Sequence, residues 1–223
     1  MFVGSDHTSK GDKPMFNDTP KLSDTEVLRH AKKLMPHYLD LHAAGYHCTT
    51  DDLYRVLLGV AANQGTIEMI CADLAGAPDP ETMRGYLNEQ LTVEQLPDLE
   101  RHLNAALRRD LPPRLRRVAQ EVAMDFHDRP YYGKQEQDQA LWVGGQAKDG
   151  TTRFYRVATA YVIYHGQRVT LALHFVLPKE ETLGVLKLLR QRVLSAGVRI
   201  SCLYLDKGFA GCAVIRYLQS AQQ

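Results

Sequence analysis

Apolar residues recur at helical spacing through the first half of the chain, whereas the second half shows alternation and short unbroken apolar runs. Residues 1–23 come before either pattern; rich in Gly, Pro, Ser, Thr and Asp, they predict a polar tail. Residues 24–111 predict a helical region. Val27, Leu28, Ala31, Leu34 and Met35 share one helical face behind Asp24, Thr25 and Glu26. Thr49 or Thr50 is placed to cap a second helix carrying Leu53, Val56, Leu57, Val60 and Ala61. Thr66 opens a third, with Ile67, Ile70, Cys71 and Leu74. A Gly-Ala-Pro-Asp-Pro break at 76–80 follows, in which Asp79 reads as an N-cap and Pro80 as the first helical residue of a fourth helix. A last helix is predicted over 96–109, and Pro112 and Pro113 end the helical pattern.

Residues 112–223 then read as strands and helices in a set order. Residues 121–126 (EVAMDF) are a short apolar strand. Trp142 and the glycines after Val143 begin the approach to a second strand, centred on 152–164. A tight turn at His165, Gly166 and Gln167 returns the chain into a third strand over 169–177. Residues 180–196 form an amphipathic helix stopped by Gly197, residues 199–206 a buried strand, and residues 210–218 a further helix. The first three strands can form an antiparallel meander, after which the helix crosses over to a fourth strand parallel to the first. That order is the opening of the ribonuclease-H-like fold. The expected class is therefore α+β: a helical, helix-turn-helix-like region, then a ribonuclease-H-like α/β domain.

Asp125 and Asp206 end two of the apolar strands, and in this topology those strands are neighbours. Two carboxylates held side by side repel each other unless a cation lies between them, and hard oxygen ligands suit Mg²⁺ or Mn²⁺. Such ions support phosphodiester cleavage. Taken singly, each aspartate also reads as a polar residue closing a strand. Asp128 is a second candidate for the first position and His127 for a ligand; both also read as loop residues after the strand.

The stretches DFHDRPYYG (125–133) and LDKGFA (205–210) resemble the first and second aspartate motifs of DDE transposases, in particular insertion-sequence transposases of the group typified by halobacterial elements. The resemblance covers roughly residues 25–218 and is specific at 120–135 and 200–218. It implies metal-dependent DNA cleavage and strand transfer at transposon inverted repeats, in a prokaryotic, nucleoid-associated cytoplasmic protein. In that family a third carboxylate, a glutamate, follows the second aspartate. The chain runs 17 residues past Asp206 without one, so the expectation is a catalytic domain represented by its first half only, inactive on its own and prone to self-associate. A non-catalytic DNA-binding chain that restrains a full-length transposase is the alternative.

Charge bears on where DNA would bind. The chain of 223 residues carries a formal net charge of +1, so any basic site must be local. Arg101, Arg108, Arg109, Arg114, Arg116 and Arg117, against Asp110 alone, give the segment 101–117 a charge of +5. Phosphate contacts or a solvated helix face both account for that cluster. Residues 66–87 have the proportions of a helix-turn-helix whose second helix would offer Glu81, Thr82, Arg84 and Asn88 to a major groove; an ordinary helical hairpin is the alternative. Of Tyr131 and Tyr132, one is expected to pack and the other to be available for stacking on a base. Four cysteines without a CxxC pair, and histidines without HxH or HExxH spacing, offer no zinc site and fit a reducing compartment. No apolar run reaches the length of a membrane span, so no membrane partner is expected.

Overall fold

The computed structural model describes residues 23–134 and 139–220. The tail predicted at 1–23 thus lies outside the described residues, except for Ser23.

Eight helices and a curled mixed sheet make up the described chain. The helices α1 (Asp24–Leu34), α2 (Thr50–Asn63), α3 (Ile67–Asp73), α4 (Pro80–Gln90) and α5 (Leu96–Arg109) come first. Side chains cap most of them. Ser23 and Glu26 form a capping box at α1, as do Thr49 and Asp52 at α2. Thr66 caps α3, and Asp79 accepts the N–H groups of Glu81 and Thr82 at α4. Leu41, Leu53, Tyr54, Val56, Ile70, Met83 and Leu87 fill the core that these helices enclose.

A short helix, α6 (Pro113–Arg117), follows where the sequence suggests only a stop. Proline ends a preceding helix but is equally suited to the first turn of the next, and here Pro113 opens one. Leu111 and Leu115 on either side of it enter the core of the sheet.

The sheet contains β1 (Gln120–Pro130), β2 (Val143–Lys148), β3 (Thr151–Tyr164), β4 (Gln167–Val176) and, after helix α7 (Thr182–Ser195), β5 (Ile200–Leu205). Helix α8 (Cys212–Ser220) closes the described chain. β3 is central. It pairs antiparallel with β1 along one side; along the other it pairs with β2 near its start and with β4 over the rest. β5 pairs parallel with the outer side of β1. Positive φ at His165 and Gly166, and again at Asp149 and Gly150, makes the two-residue turns that join β3 to β4 and β2 to β3. β2 is a separate short strand, not the lead-in to β3.

One face of the sheet is packed. Val122 and Met124 of β1, Ala158, Ala160 and Val162 of β3, and Leu171, Ala172 and Val176 of β4 meet Val185, Leu186, Leu189 and Val193 of α7 and Val214 of α8. The other face is open, with Ile163 64% and Tyr204 53% exposed.

The edge of β4 is covered by polar groups. Asn104 of α5 donates to the Leu173 carbonyl (2.9 Å) and accepts the Leu173 N–H (3.0 Å), standing in for a neighbouring strand. Glu100, one turn earlier, accepts the N–H of Phe175 and a hydrogen bond from Arg192 of α7. Its carboxylate also meets Nδ1 of His174 at 3.0 Å, while Nε2 of that ring lies 2.7 Å from Glu180. Both ring nitrogens therefore face carboxylates, an arrangement that requires an imidazolium. Glu100 and Asn104 are only 7% and 2% exposed. Burial alone would raise the Glu100 pKa, but the bonds from His174, Phe175 and Arg192 outweigh it and hold the carboxyl below its ordinary 4.5. Burial alone would likewise lower that of His174, but its bonds to Glu100 and Glu180 raise it above 6.5.

The signs set a pH window. The stability from Glu100 is complete above about pH 4.5 and is lost as pH falls through its lowered pKa; that from His174 is complete below about pH 6.5 and is lost as pH rises through its raised pKa. Urea melts should thus show a plateau between those values and a decline on the alkaline side that His174→Gln abolishes. Glu100→Ala should cost about 3 kcal/mol at pH 6, since it leaves the Phe175 N–H unpaired, His174 with Glu180 alone and Arg192 with the Leu173 carbonyl alone. A flat alkaline profile in the parent chain would refute the imidazolium.

Candidate functional site

β1 and β5 run side by side in parallel, with Val122 opposite Leu203, Ala123 opposite Tyr204 and Met124 opposite Leu205. The next step places Asp206 beside Asp125, and the Asp206 N–H donates to the Met124 carbonyl at 3.1 Å. Alternation turns Val122 and Met124 into the core and Asp125 toward the open face. Asp125 lies in mid-strand, not at a strand end, because the long β3 keeps β1 paired as far as Pro130. β5 stops at Leu205 while β1 continues. The two aspartates therefore sit on a ledge where the shorter strand turns away.

The residues around Asp206 hold it there. Its side chain accepts the Gly208 N–H (3.4 Å) at the start of a 3₁₀ turn, Lys207–Phe209. Phe209 is fully buried and stacks on Phe126, with centroids 4.2 Å apart and planes 13° from parallel. Gly208 lies so near the Phe126 ring that a Cβ there would meet it at 2.8 Å. The phenylalanines and the glycine thus pack the stretch 205–210 against the stretch 125–133.

His127 and Asp128 belong to β1 rather than to a loop after it. Asp128 is gripped by both arms of Arg156, Nε at 2.7 Å and Nη2 at 2.9 Å, which commits it to an ion pair. His127 Nε2 lies 3.8 Å from Asp125 Oδ2, 3.0 Å from Thr159 Oγ1 and 2.9 Å from Arg168 Nη2. Among the described residues, no group of three or more His, Cys, Asp or Glu side chains converges to hold a metal. The pair Asp125 and Asp206 offers two carboxylates, whose oxygens are donors of the kind Mg²⁺ or Mn²⁺ takes.

The six arginines at 101–117 have different partners. Arg101 pairs with Asp98 at 3.0 Å, and Arg109 stands 3.8 Å from Asp110. Arg108 bonds the Asn104 carbonyl; Arg116 reaches the carbonyls of Ala196 and Arg108, tying α6 to the ends of α7 and α5. Arg114 and Arg117 are exposed, with no side-chain partner among the described residues. The arginine-bearing α6 leads into the start of β1, at Gln120. Asp125 lies five residues along that strand, about 16 Å away at 3.3 Å per residue.

In the helix pair α3 and α4, Arg84 forms an ion pair with Glu68. Asn88 is exposed alongside Glu81, Thr82 and Glu89, so the outer face of α4 has no unpaired cation. Tyr131 is buried against Trp142 and Tyr155, whereas Tyr132 is 70% exposed and bonds the Asp149 carbonyl (2.7 Å). Thr159 and Arg168 are not among the candidates that the sequence singles out, although each leaves a trace there: a hydroxyl between two alanines of a buried run, and an arginine just after a tight turn. Glu100, Asn104 and His174, polar residues set among apolar ones, likewise escape the sequence pattern.

Gly208→Ala should push the 207–209 turn off Phe126, cost about 1–3 kcal/mol as overpacking does, and displace Asp206. Thermal melts and the amide resonance of Asp206 check this. Unchanged melting together with an unmoved resonance would show that the ring yields instead.

Neither models of protein families, nor curated proteins, nor solved structures show a match to this chain.

Proposed function

We propose that the chain binds duplex DNA and that Asp125 and Asp206 form the carboxylate pair of a DDE-transposase-like site on a ribonuclease-H-like sheet. The observation that carries this reading is the placement of the two aspartates beside each other on adjacent parallel strands, where β5 ends and β1 continues. The strand order supports it: β1, β3 and β4 lie side by side antiparallel, with the short β2 added beside the start of β3, and β5, reached through α7, runs parallel to β1. Asp125 and Asp206 would hold Mg²⁺ or Mn²⁺, which when bound polarises a phosphate oxygen and activates the attacking hydroxyl. The chain's own residues arrange the ledge. Phe126, Gly208 and Phe209 fix Asp206 against β1, and Arg156 ties down the charge of Asp128. Transposon inverted repeats are the proposed DNA partner, with Arg114 and Arg117 as the unencumbered cations of the basic segment.

A second reading is favoured by the number of acids. The described residues bring together two carboxylates and no third. A chain that occupies DNA ends without cutting them, and so restrains an active transposase, fits that count.

Binding of a labelled inverted-repeat duplex, followed across salt concentrations, tests the DNA partner. The double variant Arg114→Ala/Arg117→Ala should flatten the log–log slope by about 0.9 for each phosphate that is no longer neutralised, whereas Arg116→Ala should mainly lower the melting temperature. Cleavage of the same duplex with Mg²⁺ or Mn²⁺, beside Asp125→Ala, separates the two readings. The expected result is binding without cleavage. Metal-dependent cutting that Asp125→Ala abolishes would establish a complete catalytic site, and absence of any duplex binding would overturn both readings.

A further inference from the structure

Three arginines of the sheet and its helix are held by side chains in very different ways. Arg156 meets Asp128 and Arg192 meets Glu100, each matched by a carboxylate. Arg168, on the open face, has no carboxylate of the described residues within ion-pairing distance, yet it is held in place. Its guanidinium lies 3.8 Å from the centre of the Tyr161 ring. Its Nη2 donates to Thr159 Oγ1 at 2.7 Å and to His127 Nε2 at 2.9 Å. Nε and Nη1 have no partner among the described residues, so the N–H groups of Nη1 are left to a ligand.

We propose that Arg168 is a phosphate-positioning residue, gripping a backbone phosphate of DNA laid across the open face of the sheet beside Asp125. The proposal rests on the DNA-binding reading above and adds a second contact region to it, distinct from the arginines of α6. Thr159, which orients the guanidinium, is the cross-strand partner of Asp125. His127, its other anchor, approaches the Asp125 carboxylate at 3.8 Å. The cation is thus joined to the carboxylate ledge by a single intervening side chain. A guanidinium anchored at Nη2 by two side chains still presents Nη1 to a phosphate oxygen, an arrangement that lysine, with a single terminal nitrogen, does not reproduce. The Tyr161 ring covers one face of the group, and the two hydrogen bonds limit its rotation, so less freedom is lost when an anion docks. The surrounding face is accessible, as the exposure of Ile163 indicates.

Fluorescence anisotropy with a labelled duplex, read over roughly 50–200 mM salt, tests the assignment on the full chain. Arg168→Gln should weaken binding about tenfold and flatten the log–log salt slope by about 0.9, the value for one phosphate contact. Arg168→Lys should keep the slope, because the charge remains, while losing affinity several-fold. A purely structural arginine would instead lower the melting temperature and leave the slope unchanged, and that result overturns the proposal while the DNA reading stands. A parallel arm measures thermal protection by inorganic phosphate. Protection of the parent chain but not of Arg168→Gln, without any duplex binding, would assign the site to free phosphate and sink the DNA reading. Neither duplex binding nor phosphate protection would sink both. Should Arg168→Gln fail to fold, Arg168→Lys with an unchanged duplex affinity would still overturn the proposal that the anchored guanidinium positions the phosphate.

Discussion

The contact between α5 and the free edge of β4 is the interaction on which the remaining architecture depends. An unpaired strand edge exposes a row of backbone donors and acceptors, and proteins must cover or disguise it. Here a helix does so with side chains: Asn104 supplies both halves of a strand-like pairing to Leu173, and Glu100 takes the N–H of Phe175. Burying that carboxylate is tolerable only because Arg192 and His174 converge on it. Through this one polar joint the helical region, the sheet and α7 are fixed to one another. Removing Glu100 costs its partners at once a bond each and leaves the Phe175 N–H unpaired, a larger penalty than the loss of one bond.

The joint also accounts for how the two faces of the sheet differ. With α5 on the β4 edge and α7 and α8 packed on one face, the apolar positions of β1, β3 and β4 are satisfied on that side. The opposite side stays open around Ile163 and Tyr204, and polar and aromatic groups alternate there with the apolar positions. Asp125, His127, Thr159, Tyr161 and Arg168 gather there because strand alternation leaves them nowhere else to go. The grouping of chemistry on that face follows from the packing of the other.

Much of the helical region is legible from local signals. Asp79 and Pro80, Thr66 and Thr49 act through groups two or three residues away, so their roles show in sequence. The same holds for the His165–Gly166 turn and for Gly197, whose φ of 79° suits glycine at a helix end. The neighbouring positions of Asp125 and Asp206 follow from strand order alone. β2 is hidden in the sequence because Val143–Lys148 shows no alternation, although the Asp149–Gly150 turn beside it is a hairpin signal. The fate of each arginine is hidden for a different reason. Whether Arg116 meets solvent or the Ala196 carbonyl depends on a helix end 80 positions away. Glu100 and Asn104 do not stand out because a pattern of periodic apolar residues discounts buried polar ones.

The ledge at Asp125 and Asp206 has an unequal history of assembly. β3 is bounded by two tight turns, so its pairings with β2 and β4 join segments close in sequence and close small loops. The pairing of β1 with β5 encloses both hairpins and α7, and its closure costs more chain entropy than either. β5, which leads into Asp206, is short and among the described residues pairs on one side only. Of these pairings, the one that brings Asp206 beside Asp125 spans the most chain, so the meeting of the two acids depends on the integrity of the whole sheet and not on any one hairpin.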